Sequence, residues 1–343
     1  MKRKIISIIF VFILSNSTKA QDPIFTQSAI VPQTLNSNFA GFFETTDAGI
    51  IHRIQWPNEQ KEINTSFFYV SDRISEKWSL RATALNHHET FTDYNFSQIN
   101  LASCYKIMLG NEITNKVLSF GVEVGYGMKN YNFGGLLLED QINTNNGNIN
   151  PVSNDPFIRN SNDNVAFFDF SAAVLYNNKN YWLGITLKHL NTPNITFNQN
   201  GKAPLDIFTS VHGKYVVNKD IFEFLPDDSD LFLSLNFMKQ SQYNRLDIGT
   251  GLTLYKSFTI GLTAATNPIR KADNSHFLTS INPLANYIFS LDGNGNNQFR
   301  IGASYDINTS KFGNNKGVYE FSITWMLNWC SGCSAKDNNY WLP

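Results

Sequence analysis

The residues able to do acid–base or nucleophilic chemistry are few and scattered along the chain. Of six histidines, only His87 and His88 are adjacent, and Glu89 follows them directly. Such a cluster could act as a base with its orienting partner, or hold a metal, but neighbouring residues on a strand point to opposite faces. We therefore expect solvated side chains at the edge of an external loop. No Gly-x-Ser-x-Gly motif accompanies them, and a Ser-His hydrolase is not indicated.

Two acidic segments could attract a cation. Asp292-x-Asn294-x-Asn296 has the spacing of a calcium loop, but Asn297 stands where the turn glycine belongs, and Ala303 where the bidentate glutamate belongs. The run Asp227–Asp230 is better explained as a solvated turn. We predict no metal, no cofactor and no catalytic residue.

The three cysteines are Cys104, Cys330 and Cys333. In an oxidising compartment the Cys-x-x-Cys pair can close a local disulfide, which leaves Cys104 unpaired. Neither a βαβ context nor a second ligand pair supports a redox or zinc site.

The N-terminus predicts export. Lys2, Arg3 and Lys4 precede an apolar run from Ile5 to Leu14, and Thr18-Lys19-Ala20 forms a small-x-small cleavage site. We interpret residues 1–20 as a signal peptide. The apolar run is too short to span a bilayer, and no later run approaches the roughly 18 apolar residues of a transmembrane helix.

Composition favours β-structure in a non-aqueous setting. Charged residues make up 16% of the chain, well below an ordinary soluble protein, while Phe and Tyr are abundant. The net charge of −1 and the absence of a basic block argue against nucleic-acid binding.

Apolar and polar residues alternate with period two over long stretches. Leu118 to Met128 and Phe321 to Trp329 are clear examples, with Gly, Ser, Thr and isolated charges on the opposite face. The strands are too long for a typical soluble sandwich. Aromatic residues gather near strand ends, as interface girdles do: Trp56, Tyr69, Trp78, Tyr105, Tyr126, Tyr181, Trp325 and Trp329.

The sequence therefore predicts an all-β fold: a transmembrane outer-membrane β-barrel of about 14 antiparallel strands. An even count places both termini in the periplasm, and short connections alternate with long ones accordingly. The candidate strands are 47–56, 61–73, 77–87, 94–107, 115–130, 165–177, 179–189, 205–218, 229–240, 243–255, 257–266, 276–291, 297–307 and 317–329.

Four segments follow from this count: the signal peptide, an N-terminal periplasmic or plug segment at 21–46, the barrel at 47–329 and a C-terminal tail at 330–343. A set of inward charges either sets the ion preference of a channel or holds a plug: Glu123, Lys188, Asp247, Arg300, Asp306 and Glu320. The long connection 131–164 could fold over the barrel mouth. Its apolar residues, with one from the connection 190–204, are our candidate partner-binding set: Tyr131, Phe133, Leu136, Leu137, Leu138, Phe157 and Phe197.

Several short motifs occur in one order along the mature chain. They are Gln21-Asp22-Pro23-Ile24-Phe25-Thr26-Gln27, Leu35 to Gly41, Arg53-Ile54-Gln55-Trp56, Tyr181-Trp182-Leu183-Gly184 with Lys188-His189-Leu190, and Arg300 to Asp306. This order resembles the PorP/SprF family of Bacteroidetes outer-membrane proteins. Ser37 stands where that family commonly has proline, and Tyr319 where it commonly has histidine.

The resemblance implies a FadL-like barrel without enzymatic activity that serves type IX secretion and, in gliding species, the delivery of surface adhesins. It implies three kinds of partner besides outer-membrane lipid: a secreted adhesin with a type B C-terminal domain, a periplasmic peptidoglycan-binding OmpA-like lipoprotein, and the type IX secretion ring. The alternative function is a FadL-like or porin-like channel for small solutes.

Overall fold

The protein forms a closed barrel of 14 antiparallel strands, as a computed structural model shows. The structure describes residues 21–42, 46–57, 61–109, 116–143, 147–217, 225–226, 228–269, 277–292, 297–309 and 317–327. The strands are β1 (Thr46–Gln55), β2 (Ile63–Arg73), β3 (Trp78–Glu89), β4 (Tyr94–Met108), β5 (Val117–Asn130), β6 (Asn164–Asn177), β7 (Tyr181–Lys188), β8 (Phe208–Val217), β9 (Asp230–Gln240), β10 (Tyr243–Leu254), β11 (Phe258–Thr266), β12 (Leu278–Ser290), β13 (Asn297–Asn308) and β14 (Val318–Leu327).

Each strand pairs with its neighbours in sequence, and β1 closes the barrel by pairing with β14, from Thr46 opposite Leu327 to Gln55 opposite Val318. The predicted count of 14 is confirmed. Closure leaves no open sheet edge between the first and last strands, which is what a bilayer requires of a β-structure.

The period-two pattern separates a lipid face from a lumen face. On β5, Val122, Val124 and Tyr126 are exposed, whereas Glu123 and Ser119 are buried. A face of exposed aliphatic side chains is stable only against hydrocarbon, so this alternation fits an outward surface in the outer membrane. No helix in the described residues is long and apolar enough to cross a bilayer.

Aromatic side chains form part of an interface girdle. Tyr287, Phe289, Phe299 and Trp325 stack in a row across β12, β13 and β14, with successive ring centroids 5.9 to 6.3 Å apart. Tyr69 does not belong to a girdle, contrary to the sequence analysis. It lies on the lumen face, fully buried, with its hydroxyl 3.0 Å from Thr324 Oγ1.

The His87-His88 pair lies at the end of β3, directly before the external connection 90–93, and both side chains are half-buried. The strand continues to Glu89 because β2 and β4 supply pairing partners along this whole stretch. His87 Nδ1 lies 2.8 Å from Thr65 Oγ1, and its Nε2 lies 3.6 Å from Glu89 Oε1.

The two longest connections, 131–163 and 189–207, leave the same end of the barrel, which the even strand count makes the external end. Between β5 and β6 the chain makes two short 3₁₀ turns and one helical turn, α1 (Pro156–Arg159). Residues 1–20, Asp227, 293–296 and the cysteines of the tail lie outside the described residues.

Candidate functional site

Residues 21–42 thread the lumen from the external end to the periplasmic end. Asp22 lies beside Lys188 and Gln240, where β7 and β9 end at the external mouth. Gly41 lies beside Lys106, near the opposite end of β4. Between them the segment makes three 3₁₀ turns, Thr26–Ala29, Pro32–Thr34 and Ser37–Phe39, and most of its side chains are buried. We call residues 21–42 the lumen segment.

At the external mouth an imidazole joins two carboxylates. His189 Nε2 lies 2.9 Å from Asp22 Oδ1, and its Nδ1 lies 3.0 Å from Asp169 Oδ1. Burial alone would lower the pKa of His189, but the two carboxylates outweigh it and raise the pKa to about 9. Burial likewise opposes ionisation of Asp22, yet His189, Lys188 and Lys129 hold its pKa below the usual value. The charged pair ties the start of the lumen segment to the end of β7.

Deeper in the lumen, Arg53 and two acidic residues hold the first 3₁₀ turn. The Arg53 guanidinium donates to Glu320 Oε2 at 2.9 Å and to Asp306 Oδ2 at 2.8 Å. Glu320 in turn accepts from the backbone amides of Thr26 and Gln27 at 3.0 and 2.7 Å. One buried carboxylate thus accepts hydrogen bonds from the first two amides of the turn, which have no partner within the turn itself.

Two further arginines donate hydrogen bonds to backbone carbonyls of the lumen segment. Arg300 donates to the Ile30 carbonyl at 2.7 Å. Arg81 donates to the carbonyls of Gln33 and Asn36 at 2.7 and 3.0 Å, and its other terminal nitrogen lies 3.2 Å from Glu123. Because a guanidinium offers several donors in one plane, Arg81 can bond two carbonyls and Glu123 at the same time.

The periplasmic half of the lumen segment is held by an amide and an aromatic ring. Asn36 Nδ2 donates to the Val174 carbonyl at 3.1 Å and lies 3.2 Å from His212 Nε2. Phe39 is fully buried, with its ring edge-on to Trp182 at 5.0 Å. Cys104 Sγ donates to the Ser37 carbonyl at 3.1 Å.

The lumen beside the segment is closely packed. A cavity of about 30 Å³ remains there, bordered by Thr34, Arg81, Glu123, Thr186 and Lys188 among others, and this is room for about two water molecules. Over the described residues, the lumen segment and the inward side chains of the wall are largely buried against one another.

The six inward charges named from the sequence all face the lumen side. Glu123, Lys188, Arg300, Asp306 and Glu320 contact the lumen segment directly or through a neighbouring arginine. Asp247 pairs instead with Arg245 at 2.7 Å.

Sequence reasoning missed much of the basic side of this site. Arg53, Arg81, Lys106 and the imidazoles of His189 and His212 were not identified as lumen groups. Their strand parity was a usable signal, since Arg53 shares a face with Asp47 and Arg81 with Ser79.

At the external mouth, Tyr131, Phe133 and Phe197 form one aromatic cluster. Their ring centroids lie 4.7 Å apart for Tyr131 and Phe133, 5.5 Å for Phe133 and Phe197, and 6.2 Å for Tyr131 and Phe197. The two long external connections therefore meet. A short ladder supports them, in which the Asn162 amide donates to the Phe197 carbonyl and the Gln199 amide donates to the Asn160 carbonyl.

The other candidate partner residues are spread along the same connection. Leu137 is 54% exposed, and Leu136 and Leu138 are half-buried. The side chain of Phe157 lies outside the described residues. Exposed apolar side chains that were not singled out from the sequence extend this surface: Ile142, Ile149 and Val152.

The connection 189–207 folds over the mouth beside β6. Only Ala172–Asn177 of β6 pair with β7. Above that point the Leu190 amide donates to the Phe170 carbonyl, and the Asn191 side chain donates to the Phe168 carbonyl at 2.8 Å. Ile195 and Leu205 pack inward against Phe96 and Phe167.

Comparison with known proteins identifies one family. The family described as type IX secretion system membrane protein PorP/SprF matches residues 17–325. No curated protein sequence matches the chain.

Solved structures of outer-membrane proteins resemble the chain at very low identity and with TM-scores under 0.5. The toluene transporter TodX of Pseudomonas putida is 8% identical, with 91% of this chain and 96% of that chain covered and a TM-score of 0.44. A FadL homologue of Pseudomonas aeruginosa is 10% identical, with 83% and 89% covered and a TM-score of 0.40. At this level of similarity nothing about substrates carries over.

Proposed function

Because the chain belongs to the PorP/SprF family of type IX secretion system membrane proteins, we propose that it binds a secreted surface adhesin through the adhesin's C-terminal sorting domain. The adhesin is then exported or anchored at the outer membrane. Family and fold indicate a secretion-system outer-membrane barrel and not an enzyme class. On the periplasmic side, a peptidoglycan-binding OmpA-like lipoprotein and the secretion ring complete the proposed assembly.

The observation that carries the proposal is the apolar surface of the external connection 131–163. Leu137, Ile149 and Val152 are 54%, 58% and 68% exposed, and the aromatic cluster joins Tyr131 and Phe133 of the same connection to Phe197 of the next external connection. Clustered apolar side chains facing water are typical of a protein-binding surface. Their place on connections that meet across the mouth favours a folded domain as the partner, since such a domain can cover both connections at once.

Two variants test this proposal, a deletion of the whole connection and a triple substitution of its exposed apolar residues. Replacing residues 131–163 by an Asn-Gly turn should abolish adhesin retention on cells while the barrel keeps its heat-modifiable mobility in gels. The triple variant Leu137→Ser, Ile149→Ser and Val152→Ser should lower surface adhesin by about tenfold or more, because each buried side chain of this size contributes about 1.5–3 kcal/mol.

A matched control changes exposed apolar residues on other external connections. Phe91 and Ile269 are 64% and 51% exposed, and the variant Phe91→Ser with Ile269→Ser should retain adhesin within about twofold of the wild type. Unchanged retention after deletion of 131–163 would refute the proposal.

Conductance in planar bilayers distinguishes the proposed function from the alternative, a channel for small solutes. With the lumen segment in place, we expect no large steady conductance from the purified protein. A large open conductance with residues 21–42 intact would favour a solute channel instead.

A further inference from the structure

The barrel wall contacts both the main chain and the side chains of the lumen segment. Wall side chains donate to seven of its carbonyls and accept from three of its amides. The donors are Arg300 to Ile30, Arg81 to Gln33 and Asn36, Thr186 to Leu35, Cys104 to Ser37, Lys106 to Gly41 and Lys214 to Ala29; the acceptors are Glu320 for Thr26 and Gln27 and Gln240 for Asp22.

The lumen segment is bound by side chains of the wall and is not part of the sheet. It pairs with no strand of the barrel wall in the described residues, and its own turns are short 3₁₀ turns. The main-chain contacts tolerate changes of sequence, because every residue offers the same carbonyl and, proline apart, the same amide. The buried side chains of Thr26, Gln27 and Gln33 add wall contacts that depend on the sequence.

Side chains add selectivity at fixed spacing, and Asp22, Asn36 and Phe39 mark the two ends of the segment. The Asp22 carboxylate meets His189 and Lys188 at the external mouth. Fourteen residues later, the Asn36 amide meets His212, whose Nδ1 lies 2.8 Å from Ser210 Oγ. Three residues after that, the Phe39 ring packs on Trp182.

We propose that the lumen is a polypeptide-binding site, occupied in this structure by the protein's own residues 21–42 and able to bind a separate polypeptide of the same chemistry. Such a ligand is an extended or 3₁₀ chain with small, amide and apolar side chains, the apolar ones in the places of Phe25, Ile30 and Val31. It carries a carboxylate at the external end and, 14 and 17 residues further on, an amide and an aromatic ring. The proposal does not depend on adhesin binding at the external connections.

The first experiment uses the full chain. A factor Xa recognition sequence replaces residues 43–45, and the folded protein in detergent is cut there, so that the lumen segment is bound without a covalent link. A fluorescent synthetic peptide of residues 21–42 is then added in excess. We expect the labelled peptide to replace the cut segment and to comigrate with the folded barrel, whereas a scrambled peptide of the same composition stays free.

The second experiment uses Cys104 as a reporter. It needs no cleavage, so it tests the proposal even if factor Xa does not cut the folded protein at residues 43–45. Cys330→Ser and Cys333→Ser leave Cys104 as the single thiol, and residues 21–42 are deleted from the refolded protein. Cys104 is fully buried in the intact chain, with its thiol on the Ser37 carbonyl. Maleimide labelling should be fast after the deletion and at least tenfold slower when the 21–42 peptide is added.

A pair of wall variants tests the main-chain contacts. Arg81→Met with Glu123→Gln removes the donor to two carbonyls without leaving an unpaired carboxylate, and should weaken peptide binding by about 30-fold or more. The control Lys239→Met changes a cation on the outer face of β9 and should leave binding within about twofold. The proposal is overturned if the peptide neither exchanges into the cut protein nor protects Cys104 in a barrel that keeps its heat-modifiable mobility.

Discussion

The link between His189 and Asp22 should make the start of the lumen segment open more readily as the pH rises. His189 is 1% exposed and both its ring nitrogens face carboxylates. Its pKa in the folded protein is about 9, against an ordinary 6.5. At 1.36 kcal/mol per unit, this difference corresponds to about 3 kcal/mol of interaction in the protonated form.

The sign follows from the directions of the two pKa shifts. Because the pKa of His189 is raised, its contribution is complete below about pH 6.5, declines between 6.5 and 9, and is lost above about 9. Because the pKa of Asp22 is lowered, its contribution is present above its unfolded value of about 4 and is lost in more acidic solution. The link is therefore strongest between about pH 4 and 6.5.

Amide hydrogen exchange of residues 22–27 measures this opening. After correction for the intrinsic base-catalysed rate, protection should fall between pH 6 and pH 9.5 by at most about 100-fold, because Asp169 stays beside His189 when the segment opens and keeps part of the pKa shift. The variant His189→Asn is the control, because asparagine tolerates the backbone φ of +61° at this position and does not titrate.

Lys188 and Lys129 also act on Asp22, so the quantity to compare is the difference between the wild-type and variant pH profiles. Coincident profiles would refute the assignment of the pH dependence to His189.

Two more perturbations test the packing of the lumen segment. Arg53→Met should lower the free energy of unfolding by about 3–5 kcal/mol, because it leaves the buried Glu320 carboxylate without its cation; an unchanged urea midpoint in detergent would contradict this. Gly121→Val should displace the lumen segment, because a Cβ at Gly121 would lie 2.5 Å from Ser37 Oγ, and maleimide labelling of Cys104 should accelerate at least tenfold. The control Gly213→Ala adds its methyl group near Leu183 on the outer face of the wall, and should leave the labelling rate within about twofold.

The local pattern of the chain was sufficient to predict the barrel and its strand number. Alternation along β5 and β14 sets which side chains face lipid, because the side-chain period of a strand is two residues whatever its partner. The predicted strand bounds differ from the observed ones mainly at their ends, as at Glu89. There, pairing with neighbouring strands extends β3 beyond the point where the alternation stops.

The inner charges show where local pattern ceases to be enough. Their strand parity places Glu320, Asp306 and Arg300 on the lumen side, yet nothing in the neighbouring sequence says which cation each acid meets. The Arg53–Glu320 pair is separated by 267 residues and exists only because β1 closes on β14.

The sequence alone thus determined the architecture. Alternation, strand length and turn composition are local properties, and a bilayer requires that the apolar face of each strand meet lipid. The tertiary structure decided the contents of the lumen. The segment from Asp22 to Gly41 carries no regular alternation, and its turns are too short to be stable alone. Its conformation depends on contacts with arginines, carboxylates and an imidazole that come together only when the barrel closes around it.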